Sequence, residues 1–493
     1  MSRMPAQRSL PLPALPPLTR ETGLLGALAL AIGAALALLP PIQAAALLVA
    51  AVVVPLALAR PLVALCLALV AVPLSSEWGL GLGGLNLTLM EPAVGLAALA
   101  WLIDGARRRS LRIWPSALLA AQLLVFALFV ISALGAEAPG PSLKDTLKWL
   151  ELVVVFVLTV DQARRASQAR WLLLALVGAA SLEAAYGLFQ FLTRRGPDFF
   201  VIGPFMRAFG HFSQPNPFAG YLATALPVAF ALALWSKDEE AGPLRLAALG
   251  PRRLSASVAL WARPATLLLA AAVFASLSRG AWMGVALAGA VMLAVASPRS
   301  RRWLVALCAA LLLLGLLGLV GALPAVVSER LGVVAEYFGL FDVRTVDVTP
   351  ENWSIVERMA HWQAGWYMFL EHPWFGVGPG NYDAVYDRYN LPGWLESLGH
   401  AHNYYLNLAA ETGIFGLSGF LLTLALAYRA AIRGLRSPNP FWRAVALGTL
   451  GSLVAISLHS AFDNLFVHGV SVQIGALMGL AALSSGQAEA DRG

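Results

Sequence analysis

Charge is scarce in this chain. Only 12% of its 493 residues are Asp, Glu, Lys or Arg, about half of the roughly 25% found in an average soluble domain. A soluble protein of this length needs several domains, each with a charged coat, and there are too few charges here to supply them. Cysteine is scarcer still. Cys66 and Cys308 both lie in apolar runs, which argues against a disulfide framework or a Cys-based metal centre and for packing as small hydrophobes. Lysine is nearly missing: three Lys accompany 31 Arg, and the net charge is +7. In a soluble protein that balance would point to nucleic acid. Here topology accounts for it, and no nucleic-acid partner is expected.

What is present is apolar side chain, at 59% of residues. Runs of about 20 apolar residues suffice to cross a ~30 Å hydrocarbon core. They recur at 22–40, 41–59, 61–76, 86–104, 115–134, 145–161, 169–192, 217–235, 257–276, 280–297, 303–326, 404–428, 441–461 and 464–484. The expected fold is an all-α integral membrane protein, a polytopic bundle of about 12–14 transmembrane helices with one large extracytoplasmic loop containing amphipathic helices. The first run follows a basic segment without a signal-peptidase context and leads directly into further spans, so it reads as an uncleaved anchor. Four regions are expected: N-terminal transmembrane helices (1–168), a transmembrane core with the Arg207 and Arg279 motifs (169–326), the large extracytoplasmic loop (327–403) and C-terminal transmembrane helices (404–493).

Basic residues are retained on the cytoplasmic side. With both termini inside, Arg60, the cluster Arg107 to Arg112, Arg164 to Arg170, Lys237 to Arg253, Arg299 to Arg302 and Arg429 to Arg443 all fall there. That is about two dozen basic residues on one face, which sets the phase of the alternation. Two longer segments then lie outside, at about 193–216 and 327–403. Loops of that length are functional or disordered, and the aromatic content of the second, with Trp353, Trp362, Trp366, Tyr367, Trp374 and Trp394, argues for order. Within it Ile355, Met359, Trp362, Trp366 and Phe369 fall at helical spacing. The spacing predicts an amphipathic helix over 353–371 against the membrane or the bundle, ended by His372-Pro373.

All seven histidines fall outside in this topology: His211, His361, His372, His400, His402, His459 and His468. Any single one can be an interfacial packing residue, but the one-sided set favours an outward-facing site with acid or base chemistry. Arginine supplies a second signal. Residues 329–396 hold ten acids against four bases, so the outer face avoids positive charge. Arg207 and Arg279 stand there nonetheless, beside helix ends. A guanidinium at the membrane boundary needs a partner or must snorkel, and its forked donors match phosphate oxygens. A third signal is the stretch from His400 through His402 to Glu411 and Gly413. His402 and Glu411 would lie on different faces of a helix and form no simple dyad. His-x-His spacing can bind zinc, but no third ligand is evident, so no metal and no cofactor is expected. A base or hydrogen-bonding role for His402 is the stronger reading.

Taken in order, Arg207 with Gly210 and Pro215-Asn216-Pro217-Phe218-Ala219-Gly220, Ser278-Arg279-Gly280-Ala281-Trp282, Arg358 with His372-Pro373-Trp374-Phe375-Gly376-Val377-Gly378-Pro379-Gly380-Asn381-Tyr382, and His402-Asn403 with Gly413 resemble the bacterial O-antigen ligase and O-antigen polymerase superfamily of polytopic glycosyltransferases. The resemblance covers roughly residues 170–470. It implies metal-independent, inverting transfer of a glycan from undecaprenyl diphosphate to an acceptor hydroxyl, of lipid A core or another molecule, at the outer face of the bacterial cytoplasmic membrane. In that scheme Arg207 and Arg279 hold the diphosphate and His402 orients or deprotonates the acceptor. Arg358, His400, Asn403 and Glu411 are further substrate-binding residues, and membrane lipids are partners. Two alternatives stay open: a surface-polysaccharide polymerase of the same superfamily, and a lipid-linked oligosaccharide flippase. Transporters commonly show repeats and midplane ionisable groups. No repeat is evident, and of the intramembrane candidates Lys148, Glu151 and Glu183 the first two, three residues apart, are expected to neutralise each other.

Overall fold

The computed structural model describes residues 33, 40–76, 79–82, 85–235, 258–319, 342–349 and 352–490. The expected first span (22–40), the basic segment Lys237 to Arg253 and the start of the large loop (327–341) lie outside the described residues, Gly33 and Pro40 excepted. By their contacts residues 1–56 form one compact unit and Ala57–Gly493 another; apart from the helix Pro41–Ala59, every feature discussed below belongs to the second.

Helices dominate, as the apolar runs require. In lipid each backbone N–H and C=O must be satisfied internally, and a helix does so within one segment. In chain order they are α1 (Pro41–Ala59), α2 (Pro61–Ala71), α3 (Met90–Arg107), α4 (Ala117–Ala133), α5 (Pro139–Gln162), α6 (Ala166–Thr193), α7 (Pro215–Trp235), α8 (Val258–Ala275), α9 (Arg279–Ala296), α10 (Pro298–Leu319), α11 (Trp353–Glu371), the single turn α12 (Tyr382–Val385), α13 (Tyr404–Gly434), α14 (Pro440–His459) and α15 (Val470–Ala490). Among the described residues five are long and apolar enough to cross a membrane, namely α6, α7, α9, α13 and α14, and shorter apolar helices accompany them. The chain is an all-α, multi-pass membrane protein. Strand structure among the described residues is confined to two ribbons, β1 (Gly79–Leu82) with β2 (Leu85–Thr88) and β3 (Val201–Ile202) with β4 (Phe205–Met206), both antiparallel.

The helices pack as lipid-embedded helices do, through small residues rather than through expulsion of water. A Cβ on Gly448 of α14 would meet the Cα of Val228 of α7 at 2.7 Å, and one on Gly475 of α15 would meet the Leu152 carbonyl of α5 at 2.5 Å. Only glycine lets these backbones approach so closely. α7 and α14 are accordingly buried on nearly all sides, whereas α9 leaves most of its surface outward.

Two expectations are corrected and a third is refined. The last span begins at Val470 rather than 464, because the turn before it is held by the Asn464 N–H donating to Asp463 Oδ1 (2.8 Å) and the Phe466 N–H donating to Asn464 Oδ1 (3.1 Å). Such short side-chain acceptors compete with the helix for backbone donors. The amphipathic helix α11 occupies the predicted range; of the predicted stripe Met359 is buried, together with Val356, Ala360, Ala364 and Met368, while Trp366, like Trp353 and Leu370, stays about half exposed. Small residues permit close packing, and amphipathic aromatics suit a membrane interface. Finally, Lys148 pairs with Asp145 (2.5 Å), not with Glu151.

Candidate functional site

The ends of α6, α7, α8, α9, α13 and α14 and the start of α15 meet at one place, and loop hydrogen bonds hold them there. After β4 the chain turns across the end of α8, where the Ala208 N–H donates to the Ala275 carbonyl at 3.0 Å. Gly210 has φ 62°, and a side chain there would run into the Glu183 carboxylate. Glu183 instead accepts from the His211 N–H (2.6 Å) and pairs with His211 Nδ1 (2.8 Å). This intramembrane acid is therefore tied to a loop, and Gly210 is the residue that lets the loop pass it.

That turn delivers Arg207. Its Nε donates to the Ser276 carbonyl (2.8 Å) and its Nη2 to Asn216 Oδ1 (2.9 Å). Arg279 begins α9 three residues beyond Ser276, and Arg358 comes from α11. The Arg207 guanidinium is pushed down to about 10, chiefly by burial and then by repulsion from Arg358 and Arg279, against an opposing pull from Asp463. Three guanidinium groups from separate elements thus share one field. Such a cluster stabilises an anion with more than one charge.

Asp463, in the turn between α14 and α15, joins this cluster to the histidines. Its carboxylate is buried and accepts from Asn216 Nδ2 at 2.7 Å. It lies 3.8 Å from His400 Nε2 and 3.7 Å from His402 Nδ1. Burial alone would raise its pKa, yet His402, His400 and Arg358 outweigh burial and hold it below the usual carboxylate range. His400 is pushed down to about 4, first by burial and then by His402. Its Nδ1 accepts from the His402 N–H (3.0 Å), so its Nε2 carries the proton that faces Asp463. His402 itself has φ 52°, a conformation that costs a non-glycine residue about 1 kcal/mol or more. Its ring nitrogens are buried and have no hydrogen-bond partner among the described residues. An ordinary packing histidine would have neither feature.

The remaining expected site residues divide. Asn403 caps α13, its Oδ1 accepting from the Leu406 N–H (3.1 Å). Glu411 is one element away from the arginines. It accepts from the Tyr382 N–H (3.1 Å), while its backbone carbonyl accepts from the Gly378 N–H (2.8 Å). It therefore anchors the glycine-rich segment 376–380 to α13. Glu411 and His400 also line a cavity of about 270 Å³ with Lys144, Asp145, Lys148 and Asn407. His459, at the end of α14, sits 3.5 Å from Ser278 Oγ, and a Cβ on Gly280 would strike its ring. The Ser-Arg-Gly sequence needs its glycine for that contact.

The residue that sequence reasoning missed is Asp463. A signal existed, because it is the only charged residue between Arg443 and Glu489. With it the expected shortage of metal ligands disappears: His400, His402 and Asp463 offer three ligand atoms within 4.8 Å of one another. Their donor set, two imidazoles and a carboxylate, is one that a zinc-sized cation accepts.

No curated protein matches the chain. A family model described as O-antigen ligase matches residues 264–421, which run from α8 into α13 and include Arg279, Arg358, His400, His402, Glu411 and Gly413. Arg207, Asn216, His459 and Asp463 lie outside that stretch and reach the site through the fold. This match supports the resemblance to the O-antigen ligase superfamily over the stretch it covers.

Proposed function

We propose that the protein transfers a glycan from undecaprenyl diphosphate to an acceptor hydroxyl at the outer face of the bacterial inner membrane, with inversion and without a metal. The observation that carries this reading is the continuous path from Arg207 through Asn216 and Asp463 to His402. It sets phosphate-binding cations and a candidate base in one network. In the reaction the acceptor oxygen attacks the anomeric carbon as the bond from that carbon to the phosphate oxygen breaks. The electron pair leaves with the diphosphate, where Arg207, Arg279 and Arg358 stabilise the growing charge. The hydroxyl proton passes to His402 Nε2, and Asp463 beside Nδ1 stabilises the imidazolium. The polar cavity beside His400 is assigned to the acceptor. Asn403 contributes through the helix it caps and Glu411 through the cavity wall.

Termini in the cytoplasm and a site facing outward follow from the placement of arginine. The flippase reading is less favoured because two of its three ionisable candidates, Glu183 and Lys148, are engaged with His211 and Asp145; the third, Glu151, keeps one buried carboxylate oxygen without a hydrogen-bond partner among the described residues. Ligase and polymerase differ in the acceptor. The test is transfer by purified protein from undecaprenyl diphosphate glycan, with lipid A core and a second lipid-linked glycan offered separately. His402→Ala is expected to lose about 100- to 10,000-fold in rate, and Arg279→Ala about 10- to 100-fold. Full activity in both variants would remove these residues from the site, and lipid movement without transfer would favour the flippase.

A further inference from the structure

At the other end of the helices a second cavity, of about 580 Å³, opens among the segment before α4, the ends of α5 and α13, and α15. It does not touch the transfer site. Arg429 lies 25 residues along α13 from Tyr404, roughly 35 Å for a helix. Three arginines from two separate parts of the chain line it. Arg164 lies in the turn between α5 and α6, and Arg429 and Arg433 share one face of α13 at i,i+4 spacing. The one carboxylate in the lining is Glu489, 3.3 Å from Arg433, so the wall carries net positive charge. The rest of the wall includes Leu118, Phe156, Val160 and Leu426.

Its depth is marked by Trp114, over whose ring the Arg164 guanidinium stacks at 3.5 Å. Leu111 and Ile113, just before it, are more than half exposed. Exposed aliphatics, a tryptophan and arginines in sequence are the composition of a membrane interface. Retention of basic residues on one side requires arginine somewhere in these loops, but it does not require three of them around one apolar-walled cavity. A basic pocket between transmembrane helices at this depth matches an amphiphile with a phosphate at the mouth and hydrocarbon along the wall.

We infer that this cavity binds the headgroup of an anionic phospholipid, with the phosphate among Arg164, Arg429 and Arg433 and an acyl chain along Leu118, Phe156 and Leu426. The full chain, purified in detergent, is given phosphatidylglycerol, phosphatidylcholine of the same acyl chains, or inorganic phosphate. Retained lipid is counted by native mass spectrometry and the thermal midpoint is recorded. Phosphatidylglycerol is expected to be retained and to raise the midpoint, and the other two are not. Each arginine near an anionic surface is worth about 1 kcal/mol, about a fivefold factor, so Arg429→Gln with Arg433→Gln weakens retention by roughly 30-fold. Arg299→Gln, a basic residue on the same side but outside the cavity, leaves retention unchanged. Equal retention of phosphatidylcholine, an effect reproduced by phosphate alone, or full retention by the double variant would each overturn the inference. The lipid count on the unaltered chain decides the first two even where a variant folds poorly.

Discussion

Asn216 is the residue on which the two halves of the site depend. Its amide is oriented by its neighbours, with Oδ1 toward Arg207 and Nδ2 toward Asp463. No acid or base of similar size serves both, because only an amide offers an acceptor and a donor from one planar group. Asn216→Leu removes both hydrogen bonds and leaves Asp463 buried with one fewer donor. Hydrogen bonds to charged groups contribute about 1.5–3 kcal/mol, so the variant should lose about 10- to 100-fold in kcat, with the KM for donor rising as Arg207 loosens. Asn216→Asp should be worse, since it sets a second carboxylate against Asp463. A wild-type rate in Asn216→Leu would show that Arg207 and Asp463 act independently.

At the scale of the element, α13 carries the most information. Gly413 interrupts it with φ 65°, and a Cβ there would strike the backbone of Trp374. The placing of this glycine ten intervening residues after His402 thus has a physical cause. The kink lets the segment after α11 lie against α13, with the Ile414 N–H donating to the Pro373 carbonyl (2.8 Å) and the Val377 N–H to the Ala410 carbonyl (3.0 Å). Gly413→Ala combines left-handed backbone strain with a backbone clash. It should destabilise the protein by about 1–3 kcal/mol or more, read as a lower thermal midpoint and faster proteolysis between residues 372 and 382. An unchanged midpoint would mean that the kink is not required for docking. α11 teaches a related lesson. Its periodicity identified the helix, but the sequence left open whether the apolar stripe meets the membrane or the bundle, and the structure divides it, with Met359 buried and Trp366 half exposed; in a membrane protein large aromatics suit the lipid boundary and small residues the interior.

For the whole molecule, the end of the bundle that carries the candidate site is a concentration of buried neutral histidines. Burial, aided by neighbouring charge, pushes His361 down to about 3 and His400 and His468 down to about 4. An unfolded histidine titrates near 6.5. Between about pH 4 and 6.5 the unfolded chain therefore binds more protons than the folded one, and stability falls as pH is lowered through that window. Asp463, held below its ordinary value, adds a further loss at lower pH. Thermal midpoints at pH 7.5, 6 and 4.5 should decrease in that order, and a flat profile would show that these rings are not buried as neutral groups. Metal dependence is also a property of the assembled site. Transfer should persist in EDTA, with His402 acting as a base. Loss in EDTA with recovery on adding zinc would instead make His400, His402 and Asp463 a metal centre.

Composition and the length of apolar runs by themselves determined that the chain is a polytopic helical membrane protein, because hydrocarbon admits no other use for such runs. The placement of arginine singled out Arg207 and Arg279, since each charge in a charge-poor chain has few explanations. The order of short motifs was enough to indicate the superfamily. Only the tertiary structure decided what completes the site. Asp463 lies 61 residues beyond His402 in sequence but 3.7 Å from its ring, and Asn216 reaches it from α7. No local pattern encodes that meeting, because it depends on three helix ends brought together by packing along their full length. The same holds for the arginines around the second cavity, which sequence could assign to a side of the membrane but not to one another.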